Sequence, residues 1–148
     1  MRPFVPTILA LALLVACSSA FVDPYPQAKR VELFVATSQG APEGSTLKAY
    51  RLSSEQQRLV RKSLRWERVG EVATDTACFV PHHFFRFYDG EAKMVGELAV
   101  CFCCDEMRTT PMVPERAHHD LVADYDLLRG VVRAVGARTD IDCGPYLP

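Results

Sequence analysis

No charge dominates this sequence. Its 17 Lys and Arg offset 18 Asp and Glu, leaving a formal net charge of −1. It therefore projects no strong field toward nucleic acid or an acidic partner. Beyond residue 16 it also lacks any apolar run long enough to span a bilayer. It has no internal repeat and no low-complexity run, which argues against a solenoid. Gly-x-Ser-x-Gly, a phosphate-binding loop and His-Glu-x-x-His are all missing, so no familiar motif names a reaction.

What is present starts at the N-terminus. A single positive charge, Arg2, precedes an uncharged, mostly apolar run ending at Ala16, whose centre Ile8–Val15 is too short for a mature transmembrane helix. Residues 1–16 read as a signal peptide. Next comes Leu14-Val15-Ala16-Cys17-Ser18, which resembles the lipobox of bacterial lipoproteins. That resemblance implies that Cys17 becomes a lipidated N-terminus carrying palmitate-type chains. It also implies anchoring without a transmembrane helix. Ser18, which is not Asp, implies the outer membrane of a Gram-negative cell, at its periplasmic face. Cleavage after Ala20 is the rival. Residues 17–29, with Pro24 and Pro26, form a tether, and 30–148 form one domain. The mature chain of about 130 residues is large enough for its own core.

Five cysteines remain: Cys78, Cys101, Cys103, Cys104 and Cys143. An exported domain with that content is expected to form disulfides, and the odd number leaves one thiol over. Val31–Thr37 and Thr46–Leu52 read as strands, the first buried on much of both faces. A helix is expected from Ser54 as N-cap, with Gln57 closing a capping box, to about Trp66. Its basic stripe, Arg58, Arg61, Lys62 and Arg65, suits a solvated face better than a lipid contact. Val69–Val80 is β-rich, Phe84–Tyr88 and Met94–Phe102 form a hairpin, and Thr109–Pro114 is loop. His118 to Asp120 open a second helix carrying Leu121, Tyr125, Leu128, Val132 and Val135 on one face and ending at Gly136. The sum is a small α+β domain, an antiparallel sheet with two packed helices.

The richest stretch is Cys78-Phe79-Val80-Pro81-His82-His83, followed by Cys101-Phe102-Cys103-Cys104. A two- or four-residue turn at Asp89-Gly90 sets Cys78 opposite Cys101 or Cys103. Cys78, His82, Cys101 and Cys103 then share a face with Phe84, Arg86 and Glu97. Phe79, Phe85, Phe87, Met94, Leu98, Val100 and Phe102 take the opposite, core face. Three readings compete. In the first, Cys78 is disulfide-bonded to Cys101, Cys103 or Cys104 and staples the hairpin. In the second, Cys78, His82 or His83, Cys101 and Cys104 hold zinc or copper, as soft thiolates would. In the third, Cys101-x-x-Cys104 does redox chemistry. It ranks last because the pair ends a strand and the negative charge of Asp105-Glu106 disfavours thiolate.

The pattern Cys-x2-Pro-x-His, hairpin, Cys-Phe-x-Cys over Val72–Asp105 is similar to small bacterial exported proteins without an assigned activity. The resemblance implies that these cysteines and His83 (His82 in the other frame) form one unit, and it implies no reaction. The expectation is a membrane-anchored envelope lipoprotein with a disulfide-stapled domain and no cofactor. Its role is binding, with another envelope protein as the partner class, or structure, ahead of catalysis. A zinc- or copper-binding lipoprotein is the second choice.

Overall fold

Alternating polarity dictates the first strand. Along Arg30–Ala36 (β1), Val31, Leu33 and Val35 turn inward and are buried, while Arg30, Glu32 and Phe34 lie on the reverse face. The apolar run promised burial on both faces. In the computed structural model, which describes residues 22–37, 46–68, 79–114, 119–141 and 143, that reverse face is only half-buried. Phe34 lies under the Arg86 guanidinium there, 4.4 Å from the ring centre.

The other elements are Leu47–Arg51 (β2), Ser54–Lys62 (α1), Leu64–Arg68 (β3), His83–Tyr88 (β4), Met94–Cys101 (β5), Glu106–Thr110 (β6), His119–Ala123 (β7) and Tyr125–Ala134 (α2). Five strands form an antiparallel sheet in the order β2-β1-β4-β5-β6, and β3 pairs with β7 in a second sheet. Val60 of α1 and Leu128, Val131 and Val132 of α2 join the inner face of the larger sheet in one core. The fold is α+β. Among the described residues no helix is long and apolar enough to cross a membrane.

Several expectations shift. Ser53, not Ser54, caps α1; its hydroxyl accepts from the Gln56 N–H and the Gln56 side chain accepts from the Ser53 N–H. The helix stops at Lys62, because Leu64–Arg68 pairs with β7, Leu64 facing Ala123 and Trp66 facing Leu121. His119–Ala123 is thus a strand, not a first helical turn, and α2 starts later, capped by Asp124. Glu106–Thr110, whose end was read as loop, is an edge strand on β5. The basic side chains expected to share a helix face are partnered within the domain: Arg58 pairs with Glu55, Arg61 with Asp23 and the Ala28 carbonyl, and Arg65, which lies on β3, with Glu67. Residues 1–21 and 69–78, with the expected signal peptide, Cys17 and Cys78, lie outside the described residues.

Neither expected turn length closes the hairpin. Tyr88 pairs with Met94, and a bulge beside Phe87 restores the odd register, so Phe85 faces Leu98 and His83 faces Val100. The bulge keeps Phe85, Phe87, Leu98 and Val100 on the core face but turns Met94 out, where it is 49% exposed. Phe79 also leaves the core face and lies under Arg108, 4.2 Å from ring centre to guanidinium. Arg86 and Glu97 meet on the reverse face in a 2.7 Å ion pair.

The segment preceding β1 is fixed by Tyr25. Its ring packs against Phe87 at 4.8 Å and covers Gly96, where any Cβ would collide with ring carbons. Its hydroxyl lies 3.1–3.2 Å from the carbonyls of Glu97, Thr110 and Pro111, to one of which it donates at a time. Gly96→Ala is expected to cost about 1–3 kcal/mol through this overpacking. Urea melts read the loss, and an unchanged midpoint would show that Tyr25 does not seal that face.

Candidate functional site

Two strands deliver the cysteines to one corner. Strand β5 ends at Cys101, which is paired with Glu106 of β6 and is only 2% exposed. Residues 102–105 turn the chain, with Asp105 in the left-handed region at φ 49°, a conformation its short polar side chain tolerates. Across this turn the Cys101 and Cys104 sulfurs are 2.8 Å apart. Cys104 is half-buried.

Cys103 leaves in another direction. It is disulfide-bonded to Cys143, with 5.1 Å between Cα atoms and a sequence separation of 40. The bridge ties the chain that follows α2 to the β5–β6 turn. Of the three partners left open for Cys78, Cys103 is thus taken by Cys143. Cys143, counted among the five cysteines but given no pairing, is the missed partner. The odd cysteine count and its lone position were the available signals.

Helix α2 holds the same turn. Arg129 donates to the Phe102 carbonyl at 2.9 Å and pairs with the Asp105 carboxylate, while also reaching Asp126 within its own helix. Glu106 is 3.4 Å from Arg108. Each carboxylate that follows the cysteines therefore has an arginine partner. Tyr125, at the start of α2, has its phenol pKa raised by burial first, then by Asp105, Glu106, Cys104 and Cys101, which places it electrostatically beside both sulfurs.

The two histidines divide between faces. His83 faces inward with Phe85 and Phe87, and its ring meets Phe102 edge-on at 4.7 Å. Its Nε2–H donates to the Arg138 carbonyl at 2.7 Å, and its Nδ1 has no hydrogen-bond partner among the described residues. Burial pushes the imidazole pKa down to about 4, against the Arg138 hydrogen bond that raises it and with a smaller lowering from His82. His83 is therefore neutral above that range. His82 is one residue earlier in extended chain, so strand parity sets it on the Cys101 face. Its backbone joins the sheet, with its N–H on Val100 and its carbonyl accepting from Ala36.

Among the expected site residues, Cys101 and Cys104 come together, Cys103 is diverted, and Cys78 and Cys17 are not described. Among the described residues no three His, Cys, Asp or Glu side chains group as a metal site. A cleft of about 330 Å³ opens elsewhere, between β6 and the β3–β7 pair, lined in part by Trp66, Met107, Met112 and Leu121. No family model, curated protein or solved structure matches the chain.

Proposed function

We propose that this chain is an envelope lipoprotein, anchored through Cys17 at the periplasmic face of the outer membrane, whose α+β domain binds or supports other envelope components. The observation that carries the reading is the lipobox-like Leu14–Ser18 behind an apolar run, with which the Cys103–Cys143 bridge is compatible. A disulfide closing a long loop is at home in an oxidising compartment. A signal-type N-terminus ending at a lipobox-like cysteine supplies the route there. The apolar cleft beside β6, with Met112 77% exposed at its rim, is the surface that suits a protein partner.

Membrane fractionation tests this. The full chain is expected in the membrane pellet, extracted by detergent and not by high salt, and Cys17→Ser is expected in the soluble periplasm. Equal distribution of both forms would overturn the lipid anchor.

A second reading is metal binding. It is favoured by strand parity, which sets His82 on the face of Cys101, next to Cys104. Cys78, His82, Cys101 and Cys104 would then hold zinc or copper(I), while His83 faces the core. Metal analysis of protein purified without chelator tests it: stoichiometric metal lost in Cys104→Ser supports the site, and metal-free protein removes it.

A further inference from the structure

We infer that Cys101 and Cys104 are a reversible dithiol–disulfide pair that exchanges with disulfides of other molecules. This goes beyond the anchoring reading and does not depend on lipid at Cys17.

Geometry favours a sulfur–sulfur bond over a shared metal. Two thiolates on one tetrahedral zinc, each about 2.3 Å from the ion, stand about 3.8 Å apart. The Cys101 and Cys104 sulfurs are already at 2.8 Å. Closing to a disulfide, at about 2.0 Å, needs less than an ångström of movement. The turn that brings the sulfurs together is held in place by Arg129 and by the neighbouring Cys103–Cys143 bridge.

The electrostatic objection from the sequence is weakened by the fold. Asp105 and Glu106 would disfavour a thiolate if bare, but Arg129 and Arg108 partner them. Exposure divides the labour. Cys104 is half-buried and within reach of a reagent, whereas Cys101 is sealed and reacts with its neighbour. Exposure separates the two bridges as well. Cys104 is half-buried and open to a reductant, so a Cys101–Cys104 bond is the easier of the two to reduce.

The exchange balances. The Cys104 thiolate attacks one sulfur of R–S–S–R; that bond breaks, and RS⁻ leaves and collects the proton Cys104 released. Cys101 then loses its proton and attacks the Cys104 sulfur, expelling the second RS⁻, which takes up that proton. Two protein thiols and one external disulfide become one protein disulfide and two RSH, with two electrons passing to the external disulfide. The same chemistry serves a small-molecule disulfide or a protein one.

The test uses the full chain extracted from the membrane fraction with detergent, without reductant, equilibrated in glutathione buffers of graded potential and alkylated. Residues 94–108 release as one tryptic peptide, so fragment masses assign each sulfur. Cys101 and Cys104 are expected to become alkylated together, at a less reducing potential than Cys103 and Cys143. With oxidised glutathione, Cys101→Ser is expected to retain at least tenfold more glutathione on Cys104 than the wild type, which resolves the adduct. A second arm with an oxidised Cys-x-x-Cys protein asks whether protein disulfides react faster. A rate advantage in either arm identifies the source of the partner disulfide. Four outcomes would overturn the inference: Cys78 bridged to Cys101 or Cys104 in the unreduced protein, both bridges opening at one potential, stoichiometric metal on the pair, or no adduct on Cys101→Ser. The wild-type titration stands by itself where that variant fails to fold.

Discussion

Replacing both Cys103 and Cys143 with serine is expected to remove about 4 kcal/mol of stability, the largest loss anticipated from any single feature of this domain. In the chain-entropy account a cross-link stabilises by restricting the unfolded chain, and the restriction grows with the loop it closes. With a sequence separation of 40, that loop runs through β6, β7 and α2. The double variant is the informative one, since a single substitution would leave a thiol beside Cys101 and Cys104. Urea melts in the absence of reductant give the comparison. Equal midpoints for the double variant and the wild type would show that the bridge is not formed in solution.

Acid is expected to weaken the domain through His83. Its folded pKa is about 4, against an ordinary 6.5. Between those values the unfolded chain binds a proton that the folded chain refuses, so stability is complete above about pH 6.5 and falls as pH drops toward 4. Below 4 the loss levels off at about 3 kcal/mol. The cause is structural: the ring is 1% exposed, and its only described hydrogen bond is the one donated to Arg138. His83→Phe is expected to be weaker at pH 7.5, because the Arg138 carbonyl loses its donor, yet flatter between pH 6.5 and 4.5. Wild-type and variant stabilities that run parallel across that range would remove His83 as the acid-sensitive group.

These effects also show which parts of the molecule a single sequence makes legible. Local patterns were readable. Alternation along Val31, Leu33 and Val35 gave β1, the core face of the hairpin followed from Phe85, Phe87, Leu98 and Val100, and the capping box of α1 was misplaced by one residue. Long-range pairing was not. Leu64–Arg68 continues the helical pattern of α1, and only β7, more than 50 residues later, turns it into a strand. Glu106–Thr110 is polar enough to pass for loop because an edge strand needs little burial.

The site divides the same way. The cluster of cysteines was visible, and so was the pair of histidines, but cysteine spacing does not encode connectivity. Cys143 sits in a segment without periodicity, and nothing local marks it as the partner of Cys103. The bulge beside Phe87 was equally hidden. It lengthened the hairpin turn yet restored the parity on which the face assignments rested.

The most direct measurement of the central claim is the mass of the N-terminal peptide of the full-length protein recovered from the outer membrane. The expected peptide begins at Cys17 and is heavier than its amino-acid sequence by a diacylglyceryl thioether and an acyl chain. A peptide beginning at Phe21 without lipid, or one that still carries Met1, would contradict it.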